Sequence, residues 1–145
     1  MKKIWISLVG FLAIASLSAQ EKPLPSLYGT GVWDADSLGN HRVVVSVDKA
    51  GDAVLATMNW RRRDLNPEEK NLIVVDAKTG KRVTNVARFT VNREKGEVVF
   101  QPQTVPGNYY IYYLKNVSSG SKYYPTVTYP AFEETADAEW LKANK

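Results

Sequence analysis

Arg42-Val43-Val44-Val45-Ser46-Val47, the turn Asp48-Lys49-Ala50-Gly51-Asp52, and the segment from Ala53 to Trp60 together decide the fold. In the first segment Val43, Val45 and Val47 share one face, and in the last Val54, Ala56, Met58 and Trp60 do. A repeat of two is that of a strand with one buried side, because successive side chains leave opposite faces of the pleat. The pattern recurs downstream. Leu72 to Asp76 is a short apolar run, expected of a strand covered on both faces, and Thr79-Gly80-Lys81 turns it. Val86 to Asn92 predicts Ala87, Phe89 and Val91 inward, with Arg88, Thr90 and Asn92 outward. Lys95-Gly96 leads into Glu97 to Gln101, where Val98 and Phe100 face in, and Val105-Pro106-Gly107 turns into Tyr109 to Leu114. Six or seven short strands punctuated by turn signals predict an all-β, antiparallel β-sandwich of the immunoglobulin or galactose-binding kind.

The flanks read differently. Tyr28 to Asn40 holds Gly29, Gly31 and Gly39 and predicts a loop with one edge strand around Val32-Trp33. Ser118-Ser119-Gly120-Ser121 reads as a flexible loop, and Tyr123 to Tyr129 as a Thr-rich strand ending at Pro130. Glu133 to Lys142 reads as a helix start, with Thr135 or Asp137 as its cap. Trp140 and Leu141 have no evident place to pack within this domain, which predicts a contact with a following one.

At the other end, Lys2 and Lys3 precede an apolar stretch from Ile4 to Leu17 and then the small residues Ser18 and Ala19. That order is a signal peptide, too short in its apolar part to span a bilayer. The expected division is a signal peptide over 1–20, a linker over 21–27, the sandwich over 28–130, and the start of an interdomain linker or helix over 131–145. The chain is expected to be exported to the periplasm, the cell surface or the medium, with no membrane span after cleavage.

Composition narrows the chemistry. The 145 residues include no Cys, which excludes disulfides, thiolate metal ligands and a Cys nucleophile. There is one His, His41, so a His-built metal site is excluded, and His41 reads as a polar loop residue at the mouth of a strand. The 19 basic residues, less Lys2 and Lys3, leave 17 against 15 acidic, a net +2 that argues against a nucleic-acid partner. Carboxylates fall mostly in turns, and Asp34 with Asp36 has no supporting catalytic motif. No catalytic residue, metal or cofactor is expected.

Two segments stand out as candidate binding or packing sites. In Trp60-Arg61-Arg62-Arg63-Asp64, alternation sends Arg62 to the core side with Trp60, and Arg61 and Arg63 outward. A core-side guanidinium requires a partner, and Asp64, Asp34 and Asp36 are the candidates for an ion-pair network. The other reading makes Trp60, Arg61 and Arg63 a cationic platform for an acidic sugar, a sulfate or a neighbouring domain. In Tyr109-Tyr110-Ile111-Tyr112-Tyr113, alternation separates Tyr109, Ile111 and Tyr113 from Tyr110 and Tyr112. Outward Tyr110 and Tyr112 are either ordinary strand residues or a stacking surface for sugar rings.

Trp60-Arg61-Arg62-Arg63-Asp64, Pro67-Glu68-Glu69-Lys70-Asn71 and Ile73-Val74-Val75-Asp76-Ala77-Lys78-Thr79-Gly80 appear in an order that carries a resemblance. Asn92-Arg93-Glu94, Val99-Phe100-Gln101-Pro102, Pro106-Gly107-Asn108-Tyr109-Tyr110-Ile111-Tyr112-Tyr113 and Tyr124-Pro125-Thr126-Val127-Thr128-Tyr129 extend it. The ordered set resembles the N-terminal domain of Bacteroides-type glycoside hydrolase family 123-like proteins. The resemblance implies a non-catalytic β-sandwich ahead of a TIM-barrel catalytic domain that acts on N-acetylhexosamine glycans with help from the substrate's acetamido group. It implies no catalytic residue here, since none of the matching positions belongs to the catalytic motif. The implied partners are a catalytic barrel in cis and glycans containing N-acetylhexosamine. The alternatives are a stand-alone carbohydrate-binding module and a structural or adhesion domain of the cell envelope.

Overall fold

Nine strands run through the described residues, 26–29 and 31–145 of a computed structural model, and every pairing among them is antiparallel. They are β1 Ser26–Tyr28, β2 His41–Val47, β3 Val54–Asn59, β4 Leu72–Asp76, β5 Val86–Val91, β6 Lys95–Phe100, β7 Gly107–Tyr113, β8 Val117–Ser121 and β9 Tyr124–Thr128. One sheet has the order β1-β2-β7-β4, a second β3-β6-β5, and a third consists of β8 and β9 alone. The stretch read as a signal peptide, residues 1–20, lies outside the described residues, as does most of the stretch read as a linker. Among the described residues no helix is long and apolar enough to cross a membrane.

The first two sheets stack face to face. Val43, Val45 and Val47 of β2, Leu72 and Val74 of β4, and Tyr109, Ile111 and Tyr113 of β7 meet Ala56 and Met58 of β3, Trp60 just beyond it, and Val98 and Phe100 of β6. Burying each of these larger side chains contributes about 1.5–3 kcal/mol before the entropy of ordering it. The chain changes layer at the turn after β2, so β2 and β3 are consecutive but lie in different sheets. This is the all-β antiparallel sandwich that the period-two pattern predicts.

Four local expectations are corrected. The edge strand is Ser26–Tyr28, paired with Val43–Val45 and beginning inside the stretch read as a linker, not Val32-Trp33. After it comes a helical turn, α1 Ala35–Leu38, because the Asp34 carboxylate accepts from the Asp36 amide and the Ser37 hydroxyl and caps it. Val32 is fully exposed. Ala87 and Phe89 point out rather than in, because β5 enters the sheet with Val86 on the core face, so Ala87 packs with Val99 and Trp140 on the outer side and Phe89 is exposed. The register shift between Arg88 and Thr90 then returns Val91 to the core face shared with Val86, which unbroken alternation would not allow. Ser118–Ser121 is not a loop but part of β8, paired residue for residue with β9.

The fourth correction concerns the C-terminal helix, α2 Ala138–Asn144. Asp137 caps it, accepting from the amides of Glu139 and Trp140 at 2.9 and 3.0 Å. Trp140 does have a place to pack. It is 7% exposed, seated on Ala87 and Val99 on the outer face of the three-stranded sheet. Its indole N–H donates to the Asp52 carbonyl at 3.1 Å. Upstream, Thr135 donates to the Thr84 carbonyl, and the Asp137 amide donates to Asn85 Oδ1. Residues far apart in sequence therefore tie the helix to its own domain. Leu141 is half-buried beside Trp140.

Candidate functional site

One end of the sandwich gathers the unusual side chains. His41 opens β2 and lies opposite Tyr113 at the close of β7, while Asn59 closes β3 and Trp60, Arg61 and Arg62 follow it. The chain beyond β3 stays extended because the amides of Trp60 and Arg62 donate to the carbonyls of Glu94 and Arg93, both at 2.9 Å. Alternation along this extension buries Trp60 and Arg62 and exposes Arg61 and Arg63. Trp60 is fixed on two sides. Its indole N–H donates to the Asn92 carbonyl at 2.7 Å, and its ring lies over Gly96. A Cβ at residue 96 would stand 2.4 Å from the ring, so only glycine admits the indole there.

A row of stacked groups runs inward from the surface. His41 lies 5.3 Å from Tyr113, and Tyr113 lies 4.8 Å from Trp60. The Arg62 guanidinium is 5.0 Å from the centre of the Trp60 ring and 5.9 Å from that of Tyr113. Arg62 donates through Nε and Nη2 to both oxygens of Asp64, at 3.0 and 2.7 Å. Both side chains are almost wholly buried, at 0% and 2% exposure. Burial alone would raise the Asp64 carboxyl, but the Arg62 hydrogen bonds and charge outweigh it and hold the group below the usual carboxylate range. The bidentate geometry and the two aromatic faces make a buried guanidinium tolerable. Asp34, another of the partners considered for Arg62, is engaged instead with Ser37 and the amide of Asp36.

Over this row lies an open cleft of about 560 Å³ lined by His41, Asn59, Trp60, Arg61 and Tyr113. Trp60 and Tyr113 are 5% and 4% exposed, so they form its floor and present no flat ring to solvent. The accessible rim is polar: His41, Asn59 and Arg61. Such a rim can hydrogen-bond hydroxyl or acidic groups. Arg63 is exposed but does not line the cleft.

The outer face of the four-stranded sheet holds the second candidate pair. Tyr112 is buried and Tyr110 half-buried, so the pair forms no exposed stacking row. The Arg42 guanidinium lies between Tyr110 and Trp33, 4.2 and 4.5 Å from their ring centres, and Trp33 packs edge-on to Tyr112 at 5.8 Å. Trp33 is held by its indole N–H, which donates to the Gly39 carbonyl at 2.7 Å. The two tyrosines are thus covered by Arg42 of β2 and by Trp33 of the segment that precedes it. The structure brings Trp60, Arg61, Arg62 and Asp64 together at one end and places Tyr110 and Tyr112 on a separate face.

The exposed aromatics are elsewhere. Tyr123 and Tyr124, at 86% and 85% exposure, sit at the turn of the β8–β9 hairpin, with Val117 and Val127 also exposed. Sequence reading did not select them. Their signal was the Tyr-Pro-Thr-Val-Thr alternation, obscured by the Ser-Ser-Gly-Ser partner strand.

The carboxylates whose titration the fold displaces are all moved in one direction. Asp34, Asp64, Asp76 and Glu97 are all displaced below their ordinary range, through the Ser37 hydroxyl for Asp34 and the Lys95 ammonium for Glu97. At Asp76 burial is outweighed by the Thr104 hydroxyl and the amides of Thr79 and Lys78. A general acid requires the opposite displacement. No group of three His, Cys, Asp or Glu able to hold a metal occurs among the described residues.

A family model described as the N-terminal domain of glycoside hydrolase 123 matches residues 31–145. The chain belongs to that family. The match takes in α1, both stacked sheets beyond β1, the hairpin and α2. No curated protein and no solved structure matches the chain. The buried Arg62–Asp64 pair, the end cleft and the exposed hairpin are therefore features of a family 123 N-terminal domain.

Proposed function

We propose that this family 123 N-terminal domain is a non-catalytic accessory domain of an exported glycoside hydrolase. It packs on a catalytic barrel in cis and contacts N-acetylhexosamine-containing glycan at the end cleft. The family match over residues 31–145 carries the accessory reading. The glycan contact rests on the polar rim of His41, Asn59 and Arg61 around a rigid aromatic floor. Binding there proceeds by hydrogen bonds to sugar hydroxyls rather than ring stacking, since the floor rings are buried.

Titration of the purified chain with N-acetylhexosamine oligosaccharides, followed by amide chemical shifts, tests the glycan contact. The expected result is weak saturable shifts at His41, Asn59 and Arg61 that vanish in Arg61→Ala. Unchanged spectra at millimolar sugar would remove the glycan contact and leave only the packing role. Hydrolysis of a glycosidic bond by the purified chain would overturn the non-catalytic reading.

A further inference from the structure

The β8–β9 hairpin stands apart from the sandwich. Its strands pair only with each other, and all ten strand residues are exposed. A two-stranded ribbon with no packed face is marginal in water on its own. Its composition is also unlike a solvated loop. Between Val117 and Thr128 the one charged residue is Lys122, and the bulky side chains are Tyr123, Tyr124, Pro125, Val117 and Val127. Few charges together with exposed tyrosines are what the centre of a protein–protein interface carries.

The two edges of the ribbon are not equivalent. Ser121 and Tyr124 close the two-residue turn, so the next pair, Gly120 and Pro125, turns its backbone groups outward. Pro125 has no N–H, which blunts the outer edge of β9 at its middle. On β8 the outward residues are Ser118 and Gly120, which keep donor and acceptor, and no charge or proline protects that edge. The root of the ribbon is firm. Gly39 sits at φ 88°, where a Cβ would stand 2.6 Å from the Lys115 amide nitrogen, so the loop before β2 is pressed against the segment entering β8.

We infer that this hairpin is the element through which the domain seats on the catalytic domain of its own hydrolase, with Tyr123 and Tyr124 as anchors and the β8 edge open to strand addition. This rests on the accessory reading above. That occupant fits best because the chain is the N-terminal domain of a hydrolase family, and because a nearly neutral, tyrosine-bearing ribbon suits a protein surface rather than an anionic polymer.

The test mixes the purified chain with the separately purified catalytic domain of a family 123 hydrolase. It measures affinity by titration calorimetry and footprint by hydrogen exchange. The expected result is binding that protects Val117–Thr128 and weakens roughly 100-fold in the double variant Tyr123→Ser/Tyr124→Ser. Both tyrosines are exposed, so an unchanged melting temperature of the variant verifies its fold. Binding with the footprint elsewhere and the variant unaffected would overturn the hairpin as docking element while leaving the accessory reading intact. No binding by the wild-type chain would overturn both. Self-association of the chain through Val117–Ser121 would assign the edge to a second copy instead and overturn the proposal.

Discussion

Tyr109-Tyr110-Ile111-Tyr112-Tyr113 and Tyr123-Tyr124-Pro125-Thr126-Val127 both open on a pair of tyrosines and are opposite in fate. The first forms β7 at the centre of a sheet, flanked by β2 and β4, with Tyr109, Ile111 and Tyr113 in the core. The second leads from the hairpin turn into β9, which has one neighbour and no covered face. Tyr109 shows what placement adds. Its ring is fully buried, 4.9 Å from Phe100, and its hydroxyl accepts from the Thr104 amide at 2.6 Å and donates to the Thr104 carbonyl at 2.8 Å. Tyr124, similar in chemistry, meets water. Side-chain type sets the propensity to form a strand; the partners of that strand set whether a tyrosine stabilises the fold or stays available for contact.

That contrast is open to direct attack. Tyr109→Ala should lose about 3–5 kcal/mol in urea unfolding, since it opens a cavity and removes the partner of two half-buried backbone groups of Thr104. Asp64→Ala leaves the Arg62 charge buried without its carboxylate and should cost about 3 kcal/mol or more by the same measurement. A linked pH effect accompanies it. Because Asp64 is held below its unfolded value, its stabilisation is complete above about pH 4 and fades as pH falls through the lower folded value. The wild-type chain should therefore lose stability on acidification below that point, and Asp64→Ala should lose less there. Gly96→Ala pushes a methyl into the Trp60 ring and should cost about 1–3 kcal/mol, with a change in tryptophan fluorescence. At the other extreme, Tyr124→Ser should change stability by less than about 0.5 kcal/mol. A loss comparable to that of Tyr109→Ala would mean that the hairpin packs on the body after all.

The stacked sheets were legible because one buried face per strand forces a period of two, as in Val43-Val45-Val47 and Ala56-Met58-Trp60. The Arg62–Asp64 pair was legible for a local reason: alternation sends Arg62 inward, and its partner follows two residues later. What was hidden is non-local. The bulge at Arg88–Thr90 puts Val86 and Val91 on one face without any sequence punctuation, so a single alternation counted through β5 misplaced Ala87 and Phe89. The place of Trp140 depends on Ala87, Val99 and Asp52, which only the folded chain brings near. The covering of Tyr110 and Tyr112 by Trp33 and Arg42 could not be read from alternation, which distinguishes two faces but not what lies over each. The exposed hairpin was half visible: β9 shows its pattern, but a Ser- and Gly-rich partner lacks the hydrophobic signal by which strands are recognised.

Native-state hydrogen exchange of the purified chain tests most directly whether a self-sufficient sandwich carries an unsupported ribbon. The amides of Val43–Val47 and Tyr109–Tyr113 that bond across the sheet should exchange only through global unfolding, while those of Val117–Thr128 should exchange at least about 100-fold faster through local opening. Equal protection of β7 and the β8–β9 ribbon would contradict the account, because it would make the ribbon part of the cooperative core rather than a surface held out for another domain.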